Sequence, residues 1–438
     1  MPRKQLTSQI EFTREMLPLD KTTPRILAEY RKMAWETFQR LPYPTLEDED
    51  WRRTSLRSLN MDELQLVNGK TSDIQQDEIA ERFFQPLTEQ RQGGQAILSP
   101  EGLSIDLTPE LAEKGVVFTD LETAAREHPS IVEKILGKII DPEDGKFAAL
   151  TGAFAKHGIF VYIPKGLEVV QTLHSIFLAA SDGFAQFYNL MIYLDEGASL
   201  TYAHETSSLE DGQDQALTGE NLEIYLGPGA NLKFIELQTL SRNVWSFGHK
   251  KVQVDKDGKL DWVIGTIGSH MTKHFASVDL VGQGAESRVT GMFFANSKQH
   301  LSYKTQQNHL APRTYSNLLC KGALTETGRS VWRGMIYVAP EAKNADGYQA
   351  NRNLLLSEGA RATSIPGLEI LNDEVRCSHG STVGKIDLEQ MFYLQARGIP
   401  RPEAERLIVH GFFEDVLSRI PLDRVKERLE QSINRKLI

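Results

Sequence analysis

The sequence predicts a mainly β protein: a right-handed parallel β-helix (β-solenoid) core flanked by N-terminal and C-terminal helical regions. Three observations predict it. Glycine turns recur beyond residue 190, at 197, 229, 258, 284, 328 and 359, separated by 32, 29, 26, 44 and 31 residues. Each turn is followed by a period-two run, such as Leu260, Trp262 and Ile264, or Val289, Gly291 and Phe293. Two runs echo each other, Arg288-Val289-Thr290-Gly291-Met292-Phe293-Phe294 and Val331-Trp332-Arg333-Gly334-Met335-Ile336-Tyr337. A period near 30 with glycine turns marks stacked coils that share one core. A β-sandwich is the alternative, but six turns at near-regular spacing are hard to place in one.

Residues 1–92 read as an N-terminal helical region. Ile26, Leu27, Tyr30, Met33, Ala34 and Phe38 recur at spacings of three and four, which lays one apolar stripe along a helix. Thr23-Pro24 suits its entry, because proline is tolerated in the first turn. A second helix is expected around Asp77 to Phe84, and Gln90-Arg91-Gln92-Gly93-Gly94 marks a boundary. Residues 93–385 form the β-helix core, with a helical insertion near 121–140. Residues 386–438 are a C-terminal helical region. Asp387 caps its first helix, Gly398 ends it, and Pro421 breaks the next. Ala404, Leu407, Ile408, Gly411, Phe412, Val416 and Ile420 form an apolar stripe, to be buried on the solenoid or on a partner.

Composition narrows the function classes. Hydrophobic content of 40% and charged content of 25% suit a soluble protein with a sizeable core. A net charge of −10 argues against nucleic-acid binding. No apolar run approaches the roughly 20 residues of a membrane-spanning helix. The basic start, Met1-Pro2-Arg3-Lys4-Gln5, leads into no apolar segment and is not read as a secretory signal. Two cysteines give no disulfide framework and suit a reducing compartment, so a cytoplasmic location is expected. The sequence contains no phosphate-binding Gly-x-x-x-x-Gly-Lys-[Ser/Thr] loop, no Gly-x-Gly-x-x-Gly after a strand and no Gly-x-Ser-x-Gly elbow. No nucleotide is expected to bind this chain.

The chemically suggestive segment is Asp373-Glu374-Val375-Arg376-Cys377-Ser378-His379-Gly380. In extended backbone, Cys377 and His379 project to one face. Soft thiolates hold iron–sulfur clusters, with histidine as a substitute. Arg376 is expected to favour a thiolate at Cys377. The pair is half of a metal site; the alternative is a thiol and an imidazole at a strand edge. His270 and His274 lie four apart but lack the glutamate of a metalloprotease motif, and read as hydrogen-bonded histidines on a β-surface. Cys320, after two leucines, reads as a buried packing cysteine.

The segment from Leu368 to Asp387 resembles the signature of the SufB/SufD family, as do Gln390-Met391-Phe392-Tyr393-Leu394-Gln395-Ala396-Arg397-Gly398-Ile399, Asn351-Arg352-Asn353-Leu354-Leu355-Leu356-Ser357 and Ser330-Val331-Trp332-Arg333-Gly334. Near the N-terminus, Pro44-Thr45, Glu49, Trp51-Arg52 and Thr54 are similar to the family's entry motif. Cys377-Ser378-His379-Gly380 resembles the SufD members, whereas SufB members tend to carry a Glu-His-Glu-Ala type sequence there. Gln395-Ala396 departs from the common Arg-Ser or Lys-Ser, and Cys320 matches no family ligand. The resemblance implies a scaffold subunit of a SufBCD complex for iron–sulfur cluster assembly, with no catalytic activity of its own. It implies pairing with a SufB-like subunit through the β-helical cores and binding of a SufC-like ATPase through the C-terminal helices. It leaves open a homodimer when the chain is alone. It implies a transient iron–sulfur cluster shared with SufB, with His379 as ligand and Cys377 as an auxiliary one. Leu407, Ile408 and Phe412 become the stripe for SufC docking or for packing.

Overall fold

A computed structural model describes residues 12–67, 93–180, 182–208 and 212–437. The expected helix around Asp77 to Phe84 lies outside the described residues. The strands are β1 (Gln65–Leu66), β2 (Gly94–Ser99), β3 (Gly102–Leu107), β4 (Val117–Asp120), β5 (His157–Ile163), β6 (Glu168–Leu178), β7 (Phe184–Leu194), β8 (Ser199–Ser207), β9 (Ala216–Leu226), β10 (Asn231–Thr239), β11 (Val244–Val254), β12 (Lys259–Thr266), β13 (Met271–Leu280), β14 (Glu286–Ala295), β15 (His300–His309), β16 (Tyr315–Leu324), β17 (Arg329–Val338), β18 (Asp346–Leu355), β19 (Arg361–Ile370) and β20 (Arg376–Lys385). From β5 onward they alternate between two sheets. Odd strands run β19-β17-β15-β13-β11-β9-β7-β5 in one sheet, and even strands run β20-β18-β16-β14-β12-β10-β8-β6 in the other. These neighbours are all parallel, so two strands make one coil of a β-solenoid.

One corner of the solenoid explains the repeat. Each turn from an odd to an even strand between β5 and β18 places one residue in the left-handed region: Gly166, Gly197, Gly229, Asp257, Gly284, Arg313 and Asn344, about 30 residues apart. Glycine meets this demand without the cost of a Cβ, and Asp and Asn tolerate it. The backbone N–H of each of these residues donates to a carbonyl in the next turn, from Gly166 to Glu196 through Asn344 to Glu374, at 2.7–3.1 Å. The corners therefore form their own ladder. Gly328 and Gly359 belong to the opposite corner, which is why the reading skips 44 residues after Gly284.

Inward-facing residues stack in columns, because neighbouring strands stay in register. Leu194, Leu226, Val254, Leu280, His309 and Val338 form one column. His309 fits this apolar row because both ring nitrogens are engaged, with Thr314 Oγ1 at 2.8 Å and Ser316 Oγ at 2.9 Å.

Helices cover the outer faces. α1 (Arg25–Arg40) begins after Pro24 and buries Leu27, Tyr30, Ala34 and Phe38. Four short helices come from within the β region: α2 (Pro109–Glu113), whose Leu111 is buried in the solenoid core, and α3 (Leu121–Glu127), α4 (Pro129–Ile135) and α5 (Lys146–Phe154), which pack with α1. The helical stretch expected near 121–140 thus continues to Phe154. Phe147 of α5 stacks on Phe247 of the odd sheet at 3.8 Å and 8°. Glu223, fully buried, accepts the backbone N–H groups of Gly137, Ile139 and Ile140, which fixes the segment between α4 and α5 to β9.

α6 (Leu388–Gln395) starts where the Asp387 side chain accepts the Glu389 N–H, and Gly398 follows its end at a φ of 81°. α7 (Arg401–Leu417) and α8 (Asp423–Arg435) lie on the outer face of the even sheet. Val409, Phe413 and Val416, with Val425, Leu429 and Ile433, pack against Ile235, Val263 and Phe294. Arg428 of α8 pairs with buried Glu205, which in turn bonds His174 Nε2 at 2.9 Å. Burial alone would raise the Glu205 carboxyl, but His174 and Arg428 outweigh it and hold it at about 2, below the ordinary 4.5. The stability this contact contributes is present above pH 4.5 and is lost as pH falls toward 2. Arg428→Met is expected to move the acid-unfolding midpoint, followed by circular dichroism, to higher pH. An unshifted midpoint would show that the contact does not hold α8.

Candidate metal centre at the open end of the solenoid

Cys377 and His379 both lie on β20, the last strand of the even sheet, paired on one side only by β18. Their register places both in inward-facing columns. Leu200, Leu232, Leu260, Ser287, Ser316 and Gly347 lead to Cys377. Tyr202, Phe234, Trp262, Val289, Leu318 and Gln349 lead to His379. Everywhere else such positions are sealed by the next coil. Here no described coil follows, so His379 is exposed and Cys377 half-buried. The common-face expectation for the pair is met.

Cys377 is close to the core. A Cβ on Gly347 would lie 3.3 Å from its Sγ, so glycine at 347 makes room for the sulfur. Burial pushes the thiol above its ordinary value. Arg376, expected to favour the thiolate, does not do so. Its guanidinium is drawn away to the Asp346 carboxylate, with Nε at 3.1 Å. Cys377 is therefore a protonated thiol until a metal displaces the proton. Beneath His379, Gln349 donates to the Gly367 carbonyl at 2.7 Å and keeps a buried Oε1 with no hydrogen bond. A soft sulfur and an imidazole, open on one side, can supply two ligands to a metal but cannot close its coordination.

A second group of ligand-type side chains lies inside the solenoid. Glu220 and His274 occupy one column, separated by Gly248. A Cβ on Gly248 would lie 2.8 Å from Glu220 Oε1 and 2.9 Å from His274 Cδ2, so the glycine lets the two meet. Glu236 reaches in from the even sheet, and ligand atoms of the three lie within 4.8 Å of one another. Lys250, buried on the same inward face as Gly248, places its ammonium 2.6 Å from Glu220 Oε1 and against Glu236 Oε1. Tyr188 donates to Glu220, and Trp262 Nε1 donates to Glu236 Oε2 at 3.3 Å. Burial pushes Glu220 up, but the Lys250 ammonium outweighs it and holds the carboxyl below its usual range. Burial keeps His274 well below its usual range, hence neutral. Lys250 is thus the cation that the two carboxylates surround.

The other expected residues separate. His270 stands at a corner with its ring 4.9 Å from Trp245, away from His274 in the interior. Cys320 is buried in the core, where burial pushes its thiol up to about 12. On α7, Leu407 is 46% exposed, while Ile408 and Phe412 are half-buried. The Phe412 carbonyl accepts from Lys321 at 2.7 Å. The buried face is Ala404, Val409, Phe413, Val416 and Leu417; of the expected stripe Ala404, Val416 and Ile420 are buried, while Leu407, Ile408, Gly411 and Phe412 are not. α7 is apolar on several sides, so spacing alone does not set its phase. The interior charges were missed because their partners sit one coil away. Glu220 and Lys250 are 30 residues apart, one repeat, and that period was the available signal.

Among the described residues, no helix is long and apolar enough to cross a membrane. Residues 177–412 match the family model described as SUF system FeS cluster assembly, SufBD core domain. Residues 3–174 match that of the SufBD protein N-terminal region. The chain is 29% identical over 418 residues to the iron–sulfur cluster assembly protein SufB of Bacillus subtilis (strain 168), covering 93% of this chain and 88% of that protein. Over the same coverage it is 29% identical to an iron–sulfur cluster assembly SufBD family protein of Staphylococcus haemolyticus (strain JCSC1435) and 28% identical to one of Staphylococcus aureus (strain USA300).

Proposed function

The chain belongs to the SufBD family of iron–sulfur cluster assembly proteins, and from that membership we propose that it is a non-catalytic, SufD-like scaffold subunit working in the cytoplasm. The observation that carries this reading is the placement of Cys377 and His379 at the uncovered end of two interior columns. A cluster under assembly is the cargo of such a site. Two ligands from this chain hold one side, and a facing SufB-like subunit supplies the rest. Among the described residues β19 and β20 end their sheets, and their outer edges are available for pairing with that subunit. A cluster shared across an interface has few protein ligands and is easier to hand on than one in a closed cage.

The C-terminal helices offer the contact for a SufC-like ATPase. Leu388 and Phe392 of α6 are 78% and 73% exposed, and Leu407 stands out from α7. Phe412 belongs to packing instead, through its Lys321 contact. Phe392→Asp and Leu407→Asp are each expected to lower capture of a SufC-like subunit in co-purification about tenfold, with the melting temperature unchanged. Capture at the wild-type level by both variants would sink the docking assignment.

A SufB-like role is the second reading, favoured by the similarity to the protein named SufB. Co-expression with a SufB-like chain separates the two. A SufD-like chain is recovered as a heterodimer with it, whereas a SufB-like chain is not.

A further inference from the structure

The segment that follows α1 crosses the strands of the odd sheet as a strap. Glu49 pairs with Arg333 of β17 at 2.6 Å. Asp50 pairs with Arg333 at 3.3 Å and with Lys304 of β15 at 2.8 Å. The Asp50 carbonyl accepts from Lys273 of β13 at 2.6 Å. Trp51 packs on Phe147, Phe247 and Phe275. Further on, the Gln65 and Val67 N–H groups donate to the Gly183 and Ala185 carbonyls at β7, at 2.8 and 3.1 Å. The two ends are therefore held differently, by backbone at β7 and by charge at β15 and β17. Lys304 and Arg333 are register neighbours on adjacent coils, so two like charges stand side by side. Such a pair is destabilising until carboxylates neutralise it.

We infer that Glu49 and Asp50 form a salt-labile clasp that ties the last coils to the helical layer and sets how readily the open end loosens. A coil in a solenoid is stabilised by its neighbours, so the end coil, with one neighbour among the described residues, opens at the lowest cost. The clasp grips β15 and β17, and β17 is the strand on which β19 stacks. Its charges are within reach of dissolved ions: the Glu49 side chain is 72% exposed and Asp50 31%. Trp51 is 8% exposed and stays seated on its three rings, so opening frees the loop 41–50 and not the whole N-terminal region.

Hydrogen exchange of the full chain, read by mass spectrometry at neutral pH, tests the clasp. In low salt, Glu49→Gln with Asp50→Asn is expected to speed amide exchange about fivefold in β17 and β19 and to leave β7 and β9 unchanged. Arg333→Met alone is expected to speed it too. Added to the acid variant, Arg333→Met is expected to slow exchange again, because it removes the repulsion with Lys304. Raising the salt to about 1 M, where charges are screened beyond about 3 Å, is expected to bring the wild type toward the acid variant's rate and not to speed the variant. Both acid positions are partly exposed, so that variant carries the test if Arg333→Met does not fold. Wild-type exchange in β17 and β19 of the acid variant would overturn the clasp. So would a wild-type salt response in that variant, or faster exchange still when Arg333→Met is added.

Discussion

Lys250→Met is expected to destabilise the protein by about 3–5 kcal/mol, the usual range for breaking a buried ion pair by removing one partner. The Lys250 side chain is 1% exposed, and its ammonium is the nearest cation to both Glu220 and Glu236. Methionine fills similar volume, so packing changes little and the loss is electrostatic. Two buried carboxylates would then face each other across a low-dielectric interior, and at least one would have to take up a proton. The pH dependence follows. With Lys250 in place, Glu220 is held below its usual range and stays ionised into the acid range. Without it, both carboxyl groups bind protons at higher pH, so the variant recovers stability relative to wild type as pH falls from 7 to 5. Urea midpoints at the two pH values measure this. Replacing all three groups, in Lys250→Met with Glu220→Gln and Glu236→Gln, is expected to restore much of the loss, because no unpaired charge remains. A single variant with the wild-type midpoint at pH 7 would show that the interior charges are hydrated.

His379→Ala is expected to lower the yield of reconstituted cluster about tenfold or more, while the chain keeps its melting temperature and its partners. Both halves follow from where His379 sits. Its side chain is exposed at the end of an interior column, so truncation removes a ligand and little packing. Cys377→Ser is expected to do less to the cluster and more to stability, since the sulfur is half-buried against Gly347. The measurement is the visible absorbance of the complex after supply of iron and sulfide. An intact yield from His379→Ala would remove this residue from the ligand set and leave the chain a purely structural stabiliser of its complex.

Much of the architecture is legible in the amino-acid order, because each coil repeats a local rule. Gly197, Gly229 and Gly284 announce the left-handed corner, and alternation in runs such as Leu260, Trp262 and Ile264 announces a strand with one buried face. Asp387 and Gly398 bracket α6 through contacts within a few residues. The corner becomes harder to read where Arg313 and Asn344 replace glycine, so the glycine repeat skips there. The pairing of Cys377 with His379 on one face is legible for the same local reason, two residues apart in a strand.

By itself, then, the sequence determined the coil, its period and the shared face of Cys377 and His379, since these depend on backbone preferences within a few residues. The tertiary structure alone decided the rest. Stacking brought Glu220, Glu236, Lys250 and His274 together from four strands, drew Arg376 from Cys377 to Asp346, and turned α7 so that Phe413 rather than Leu407 is buried. The physical reason is that burial and charge pairing depend on which coil lies next in space, about one full repeat away along the chain. It is also why the open end matters, since His379 is exposed only because no described coil covers β20.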